Sequence, residues 1–184
     1  GLVELMGGRD AFIGKLDSLF TADSKLEGES TSVDISGLIG QYAHGNEPSH
    51  HIAHLYNYVG QPWRTQEIVD EVLHTLYFNN PDGLSGNEDC GQMSAWYILN
   101  AMGFYQVCPG KPVYSIGRPL FNEATVHLKD GKSFKVIAHN NSRDNKYVRS
   151  IVLNGNKLET PFFTHQDIVD GGTLELTMGS EPLK

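Results

Sequence analysis

The sequence predicts an α+β fold, with helices up to about residue 112 and a small antiparallel β region after it. Apolar residues in the first part recur at spacings of three and four, which is typical of helices that pack on a core. In the second part, Asp130-Gly131 and Asn154-Gly155 are the two strongest hairpin-turn signals. We therefore predict two units, residues 1–112 and residues 113–184.

Each predicted helix begins at a residue that suits a helix N-terminus and carries apolar residues three and four apart. Proline suits the first turn because the backbone N–H that it lacks has no helical partner there. Glycine ends helices where the chain turns left-handed. The landmarks are a helix end at residues 1–8, a cap at Asp10, first-turn prolines Pro48 and Pro62, glycine ends at Gly60 and Gly103, and a fourth helix over residues 90–102.

The second part is predicted to consist of short strands around its two turns. The predicted strands cover residues 126–128 and 134–137 around the first turn, residues 151–153 before the second turn, and residues 173–177 as a last strand. Residues 21–40 are polar and contain glycine, so they are predicted to form a long loop. A loop of this length inside a compact domain is usually functional or disordered.

Composition excludes some classes of partner. The chain has 14 basic and 22 acidic residues and a formal net charge of −8. Binding to a nucleic-acid backbone needs clustered Lys and Arg, so nucleic acid is not an expected partner. No run of about 18 apolar residues exists, so the sequence predicts no membrane span. A neutral substrate or a cation suits the charge better.

The two cysteines give no metal-binding pattern. Cys90 and Cys108 are far apart and form no CxxC pair, which excludes a structural zinc site made of cysteines. Either they form one disulfide, or they are two buried thiols that pack as small apolar residues.

The densest polar cluster runs from His44 to His54. The residue before a proline is pushed to an extended backbone, so Glu47 is expected at the N-terminus of the helix that Pro48 opens. A carboxylate beside loop carbonyls, such as that of Asn46, is the ligand set that a hard cation such as Ca²⁺ prefers. A simple capping role for the carboxylate of Glu47 is the alternative.

The histidines of this cluster allow a second interpretation. His50 and His54 are four residues apart, and His51 and His54 are three apart, so a zinc hydrolase site is conceivable. The glutamate that follows the first histidine in the usual metalloprotease helix is absent. Histidines that line a pocket or bond polar groups of the core are the simpler interpretation.

A second acidic cluster lies at residues 86–93, before the fourth helix. Glu88 and Asp89 near a helix N-terminus could serve only as caps. Alternatively, one of them is a carboxylate at a pocket rim that activates a water. The positive end of the helix would keep Asp89 ionised, as a general base must be. Two acidic helix starts, each after a glycine-bearing loop, suggest that both loops converge at one end of a helical assembly.

Three strings carry a resemblance to a known family. They are residues 37–51, residues 86–97, and residues 164–168 with 171–174. They resemble glycoside hydrolase family 92, the calcium-dependent exo-acting α-mannosidases, and the resemblance runs through essentially all 184 residues. It implies that residues 1–112 are the C-terminal helices of an (α/α)6 barrel and that residues 113–184 form a small antiparallel β region.

The resemblance also implies roles for single residues. Asp89 resembles the general base of an inverting mechanism, and Glu47 with the main-chain oxygen of Asn46 resembles the calcium site. Asn87 stands where many members carry an aspartate that assists the base. His50, His51 and Glu88, together with Glu47, are the expected substrate-binding residues. In this family the calcium binds mannose hydroxyls and helps to distort the sugar ring.

One expected group is absent from these residues. The general acid of the family is a glutamate in a Glu-Gly-Asn string, and the chain contains no such string. The opening inside a helix end also suggests a fragment. The resemblance therefore implies a longer protein, periplasmic or secreted, whose N-terminal β-sandwich and first barrel helices are partners of this part. We expect residues 1–184 alone to be inactive.

Two points stay open at this stage. A stand-alone carbohydrate-binding module, using the sheet and aromatics such as Tyr114, Phe121 and Tyr147, is the alternative function. The linkage of the mannose, α-1,2 or another, is not readable from the sequence. The loop at residues 25–35, with Glu27, Glu29 and Asp34, is a candidate contributor to that preference.

Overall fold

The computed structural model describes residues 1–26, 32 and 34–184. The helices over these residues are α1 (Leu2–Leu5), α2 (Arg9–Thr21), α3 (Pro62–Thr75), α4 (Gln92–Met102) and α5 (His165–Val169), with 3₁₀ helices at Glu47–Ser49, Ile52–Val59 and Lys129–Gly131. Among the described residues, no helix is both long enough and apolar enough to cross a membrane.

The helix predicted after Pro48 differs most from expectation. It is two 3₁₀ segments, Glu47–Ser49 and Ile52–Val59, and it ends at Gly60, which is left-handed with φ of 70°. Ala53, Tyr56 and Val59 are buried and three residues apart. This repeat matches the three residues per turn of a 3₁₀ helix, so the buried face can stay on one side. α3 begins at Pro62 as predicted.

In the part of the chain that the structure describes, ten strands form three sheets. The strands are β1 (Leu38–Ile39), β2 (Tyr42–Ala43), β3 (Phe104–Tyr105), β4 (Val113–Ile116), β5 (Glu123–His127), β6 (Ser133–His139), β7 (Tyr147–Leu153), β8 (Asn156–Lys157), β9 (Phe162–Thr164) and β10 (Gly172–Gly179). β1 pairs with β2, the order β3-β4-β9 forms a second sheet, and β5-β6-β10-β7-β8 forms the largest one. Both predicted turns connect antiparallel neighbours, β5 with β6 and β7 with β8.

The mixed α and β composition is confirmed, and most strand pairs are antiparallel. Among the described strands one pair is parallel: β10 runs parallel to β6 and antiparallel to β7, with Leu174 opposite Val136 on one side and Leu153 on the other. The described structure shows no (α/α)6 barrel, and that assignment stays a prediction.

The described residues form two apolar cores, one mainly from the helices before residue 112 and one mainly from the strands after it, although Phe104 belongs to the second, and polar contacts join them. The helical core surrounds Tyr56 and Trp96, and the sheet core surrounds Phe134 and Leu174. The side-chain amide of Asn57 donates to Ser115 Oγ at 2.7 Å and to the Ile116 carbonyl at 2.8 Å. The division into residues 1–112 and 113–184 remains a prediction, since these bonds connect the two parts closely.

Candidate functional site

The two acidic clusters meet, as the sequence suggested. The Glu47 carboxyl lies close enough to that of Asp89 to share a hydrogen bond, and this contact raises the pKa of Asp89 above its ordinary value. Coulomb repulsion from Glu47 acts in the same direction, and Glu88 adds a smaller repulsion. The two residues form what we call the carboxylate pair.

Glu88, and not Asp89, occupies the N-terminus of α4. Its carboxylate accepts hydrogen bonds from the backbone N–H groups of Gly91 and, at 3.2 Å, of Ser94. A hydrogen bond from the Ser94 hydroxyl, together with these two backbone bonds, lowers the pKa of Glu88. The expectation that the helix N-terminus keeps Asp89 ionised is therefore wrong. Glu88 accepts the N–H groups of that terminus, and the Glu47 carboxyl beside Asp89 raises the pKa of Asp89.

The backbone around Asp89 is unusual. Asp89 and Cys90 have φ angles of 50° and 58°, and Gly86 and Gly91 are also left-handed. Residues with a side chain rarely adopt this region, because Cβ approaches the backbone carbonyl. Such strain persists where the surroundings determine the conformation, and it is common at functional sites. The Asp89 carboxyl at this strained position is the one that interacts with Glu47.

Glu47 has the properties of a cation ligand. Its Oε1 atom is buried and has no hydrogen-bond partner among the described residues. A buried carboxylate oxygen without a partner is costly unless a cation or a donor reaches it. The Asn46 carbonyl beside it already accepts from the Ser49 N–H at 3.0 Å and from Ser49 Oγ at 2.7 Å. The residues present therefore fit a hard cation at Glu47, with Asn46 less free than predicted.

Asn87 is exposed and makes one long contact. Its side-chain Nδ2 donates to Asp34 Oδ1 at 3.4 Å, which connects its loop to the one before β1. Of the loop residues considered for linkage preference, Asp34 is thus near the site, whereas Glu27 and Glu29 lie outside the described residues. The role of Asn87 beside the base stays a prediction.

His50 is buried and bonded on both ring nitrogens. Its Nε2 donates to the His44 carbonyl at 2.9 Å, so Nδ1 is the acceptor for the Gln92 side-chain amide at 3.1 Å. Trp96 Nε1 also donates to the His50 carbonyl at 3.0 Å. His50 thus connects the segment of Glu47 to α4. Burial lowers its pKa, which keeps the ring neutral. Its predicted contact with substrate stays untested.

The simpler interpretation of the histidines, that they bond polar groups of the core, is confirmed, but the network that they form beneath the site was not predicted. The His44 ring bonds Tyr42 through Nδ1 at 2.9 Å and Tyr77 through Nε2 at 2.7 Å. Burial lowers the pKa of His44 to about 3, with a further contribution from His50. Tyr77 donates to the Met93 carbonyl. Single-sequence periodicity gives no signal for such a network, because each member looks like an ordinary core residue.

The histidines do not form the zinc site considered above. His54 bonds Ser115 and Asn100 through its two nitrogens, at 3.1 and 2.8 Å, and burial lowers its pKa to about 4. Of the histidines between His44 and His54, His51 is the one that is partly exposed and within reach of a ligand. Within the described part of the chain, no group of three or more His, Cys, Asp or Glu side chains is arranged to hold a metal ion.

The aromatic residues of the sheet do not form a free binding face. Tyr114 stacks on Phe163 at 5.4 Å, and Tyr147 donates to Glu67 at 2.8 Å. Both side chains are used in packing, and Phe121 alone of the three is exposed. Cys90 and Cys108 are free and exposed, so neither the disulfide nor the pair of buried thiols is present.

Comparison with known proteins identifies relatives over nearly the whole chain. Residues 1–180 match the family model described as the glycosyl hydrolase family 92 catalytic domain. An uncharacterized secreted glycosidase of Arthroderma benhamiae is 31% identical over 183 residues, which is 98% of this chain and 21% of that protein.

Solved structures agree. A family GH92 α-mannosidase from Bacteroides thetaiotaomicron is 44% identical with a TM-score of 0.87, over 96% of this chain and 23% of that one. Its complex with mannoimidazole gives 43% identity and a TM-score of 0.90, with the same coverage. A family GH92 inverting mannosidase of the same bacterium gives 43% and 0.83, over 98% and 26%. The chain thus spans 21–26% of the length of these relatives.

Proposed function

Because the chain belongs to glycosyl hydrolase family 92, we propose that it is the C-terminal part of a calcium-dependent, inverting exo-α-mannosidase that hydrolyses terminal α-linked mannose from glycans. The observation that carries the proposal is the carboxylate pair at the meeting point of two loops. Relatives that are α-mannosidases, one of them in complex with mannoimidazole, support a mannose-containing glycan as the substrate.

Asp89 is the proposed general base. An inverting glycosidase needs a carboxylate that takes a proton from the attacking water, opposite a separate general acid. The two carboxyl groups of such an enzyme are about 6.5–9.5 Å apart, to leave room for the water. Glu47 lies within hydrogen-bond reach of Asp89, which is too close for the acid. Asn87, two residues before Asp89, is exposed, and its proposed role is to assist the base.

Glu47 is the proposed calcium ligand, with the Asn46 carbonyl beside it. The unpartnered, buried Oε1 atom supports this assignment. A cation held by Glu47 and the Asn46 carbonyl would offset the repulsion within the carboxylate pair and, by resemblance to the family, would coordinate hydroxyl groups of the sugar. Lower repulsion favours the ionised form of Asp89, the form that can accept a proton. His51 and Glu88 flank this position as proposed substrate contacts.

The general acid is proposed to lie elsewhere in a longer protein, periplasmic or secreted, together with an N-terminal β-sandwich and further helices of an (α/α)6 barrel. The absence of a Glu-Gly-Asn string from these residues supports this division. Proton donation by a positioned acid typically contributes about 10²–10⁴-fold to the rate. Residues 1–184 alone are therefore expected to release no mannose.

The test uses the whole protein that contains these residues, with α-1,2- and α-1,3-linked mannobiose as substrates and NMR to identify the first anomer released. We expect β-mannose, and we expect excess chelator to abolish activity until Ca²⁺ is restored. Glu47→Gln should weaken calcium binding by more than the roughly 10–100-fold typical of residues that only support metal ligands.

Glu71→Gln is the matched control, since Glu71 is exposed on α3. It should leave calcium affinity and activity unchanged. Full activity of the whole protein in excess chelator would refute the calcium assignment, and initial release of α-mannose would refute inversion. Release of mannose by residues 1–184 alone would show that the acid lies within them.

A further inference from the structure

Three loops meet just upstream in sequence of Glu47 and Asp89, and they pack so closely that no further side chain fits between them. They are the loop before β1, the loop after β2 and the loop before α4. We propose that Ser36, Gly45 and Gly86, which we call the loop interlock, are positioning residues that set the separation of Glu47 and Asp89. This inference rests on the proposed function of that pair.

Gly45 is required for space. A Cβ atom added to it would lie 2.1 Å from Ser36 Oγ and 2.9 Å from the Ser85 carbonyl oxygen. Its φ is outside the left-handed region, so conformation does not require glycine there. The Gly45 N–H donates to the Ser36 carbonyl at 3.0 Å, which fixes the first two loops side by side. Alanine at this position must separate them.

Gly86 closes the same contact from the third loop. A Cβ atom on it would lie 2.9 Å from Ser36 Oγ and 3.1 Å from the Gly45 carbonyl oxygen. Its φ of 79° is left-handed, so alanine would also be strained. The contact between Asn87 and Asp34 connects the first and third loops a second time.

Ser36 is the common neighbour of both glycines. Its Oγ atom is buried and has no hydrogen-bond partner among the described residues. A buried hydroxyl without a partner destabilises a fold, so hydrogen bonding does not explain its place. Its volume does, because it fills the gap between the two glycines. A loop interlock built on volume predicts that removing this oxygen makes room for a methyl group at Gly45.

The distance from the loop interlock to the reacting groups is short. Gly45 precedes Glu47 by two residues, and Gly86 precedes Asp89 by three. We therefore expect a displacement at either glycine to move the carboxylate that follows it. Misplacement of catalytic groups by about 1 Å can reduce a rate by about 10²-fold. The loop interlock is thus expected to act on cation affinity and on kcat together.

The experiment compares Gly45→Ala and Gly86→Ala with the wild type in the whole protein. Calcium affinity is measured by calorimetric titration without substrate, kcat and KM with a mannobiose, and folding by thermal melts. We expect both variants to fold, to bind Ca²⁺ more weakly, and to lose up to about 10²-fold in kcat with a smaller change in KM. Gly14→Ala is the matched control, because Gly14 is exposed on α2 and its added Cβ meets nothing within 4 Å.

Rescue separates positioning from general damage. In the Gly45→Ala background, Ser36→Ala removes the atom nearest to the new methyl group, so calcium affinity and kcat should recover in part. No recovery, or wild-type calcium affinity and kcat in both glycine variants, would overturn the inference. If Gly45→Ala fails to fold, Gly86→Ala with the same readouts decides it. The wild type alone tests the proposed function, since failure to bind Ca²⁺ or release mannose appears there first.

Discussion

The two halves of this molecule bury different chemistry. Among the described residues, the buried polar side chains lie mostly in the helical half. They are His44, His50, His54, Asn57, Thr65, Gln66, Asp70 and Asn100, with Ser115 and Arg118 beyond residue 112. The buried core of the sheet half is apolar, with Phe104, Phe134, Phe163, Leu174 and Leu176 among its members.

The difference indicates what each half must specify. Hydrogen bonds are directional, so a satisfied buried network such as that of His44, His50 and Trp96 fixes side chains in one arrangement. An apolar core stabilises in proportion to the area it buries and tolerates changes in detail. The helical half therefore suits the accurate placement of Glu47 and Asp89, and the sheet half supplies stability.

The largest expected effect is on the catalytic rate and comes from the helical half. Asp89→Asn in the whole protein should lower kcat by about 10²–10⁴-fold or more, because the proposed base can no longer accept a proton. Its thermal stability should change little, since the amide also relieves the repulsion with Glu47. Kinetics with melts as control measure both. Binding of the sugar ring should survive, since Glu47 remains.

Glu88→Gln is the matched variant of the neighbouring carboxylate. It should lower kcat less than Asp89→Asn does. It should also lower the thermal stability somewhat, because Glu88 accepts hydrogen bonds from backbone N–H groups at the start of α4. If Glu88→Gln is the inactive enzyme and Asp89→Asn is active, the base has been misassigned, and the division of roles between the two residues is reversed.

The next largest effect is on stability and comes from the sheet half. Phe134 is fully buried, stacks on Phe163 at 5.8 Å and meets Phe104 edge to face. Phe134→Ala should destabilise the sheet by about 3–5 kcal/mol. Hydrogen exchange should show faster opening of β6 and β10 and little change in calcium affinity. Phe121→Ala, at an exposed phenylalanine, is the control. Lost calcium affinity at unchanged exchange would show that the halves are not separable in this way.

The smallest effect concerns pH and comes from the polar half. His54 has a folded-state pKa of about 4, lowered by burial from 6.5. Below pH 6.5 the unfolded chain takes up a proton that the folded chain does not, so stability falls as pH falls. For His54 the loss is about 3 kcal/mol by pH 4. His44, with a pKa of about 3, extends the window further down.

Urea denaturation between pH 7 and pH 4 measures this slope. His54→Gln should flatten it, and His127→Gln, at an exposed position on β5, is the control. An unchanged slope in His54→Gln would mean that other groups dominate the acid side. Phe134→Ala should shift the whole curve without changing its slope, which distinguishes the two halves in one set of titrations.

Local signals made much of the fold predictable. Pro62 and Gly60 place the start of α3 and the end of the 3₁₀ helix, and both hairpin turns occur where Asp130-Gly131 and Asn154-Gly155 stand. These features depend on the conformational preferences of single residues. The meeting of the two acidic clusters was also predicted, although only resemblance gave them roles.

Other features depend on partners distant in sequence. The parallel pairing of β6 and β10 joins strands about 40 residues apart, which no turn signal encodes. The left-handed backbone at Asp89 and Cys90 is set by its surroundings, since neither residue is glycine. The bonds of His50 to Gln92 and of His44 to Tyr77 are likewise visible only after folding.

The position of β10 has a consequence for the order of assembly. It lies between β6 and β7, although it follows both in the chain. Before residues 172–179 leave the ribosome, β5–β6 and β7–β8 can exist only as separate hairpins, and an isolated hairpin is at best marginally stable in water. The unpaired edges of β6 and β7 are exposed during that interval, and such edges can pair with other chains. The arrival of β10 is therefore the step that pairs both of these edges and joins the two hairpins into one sheet.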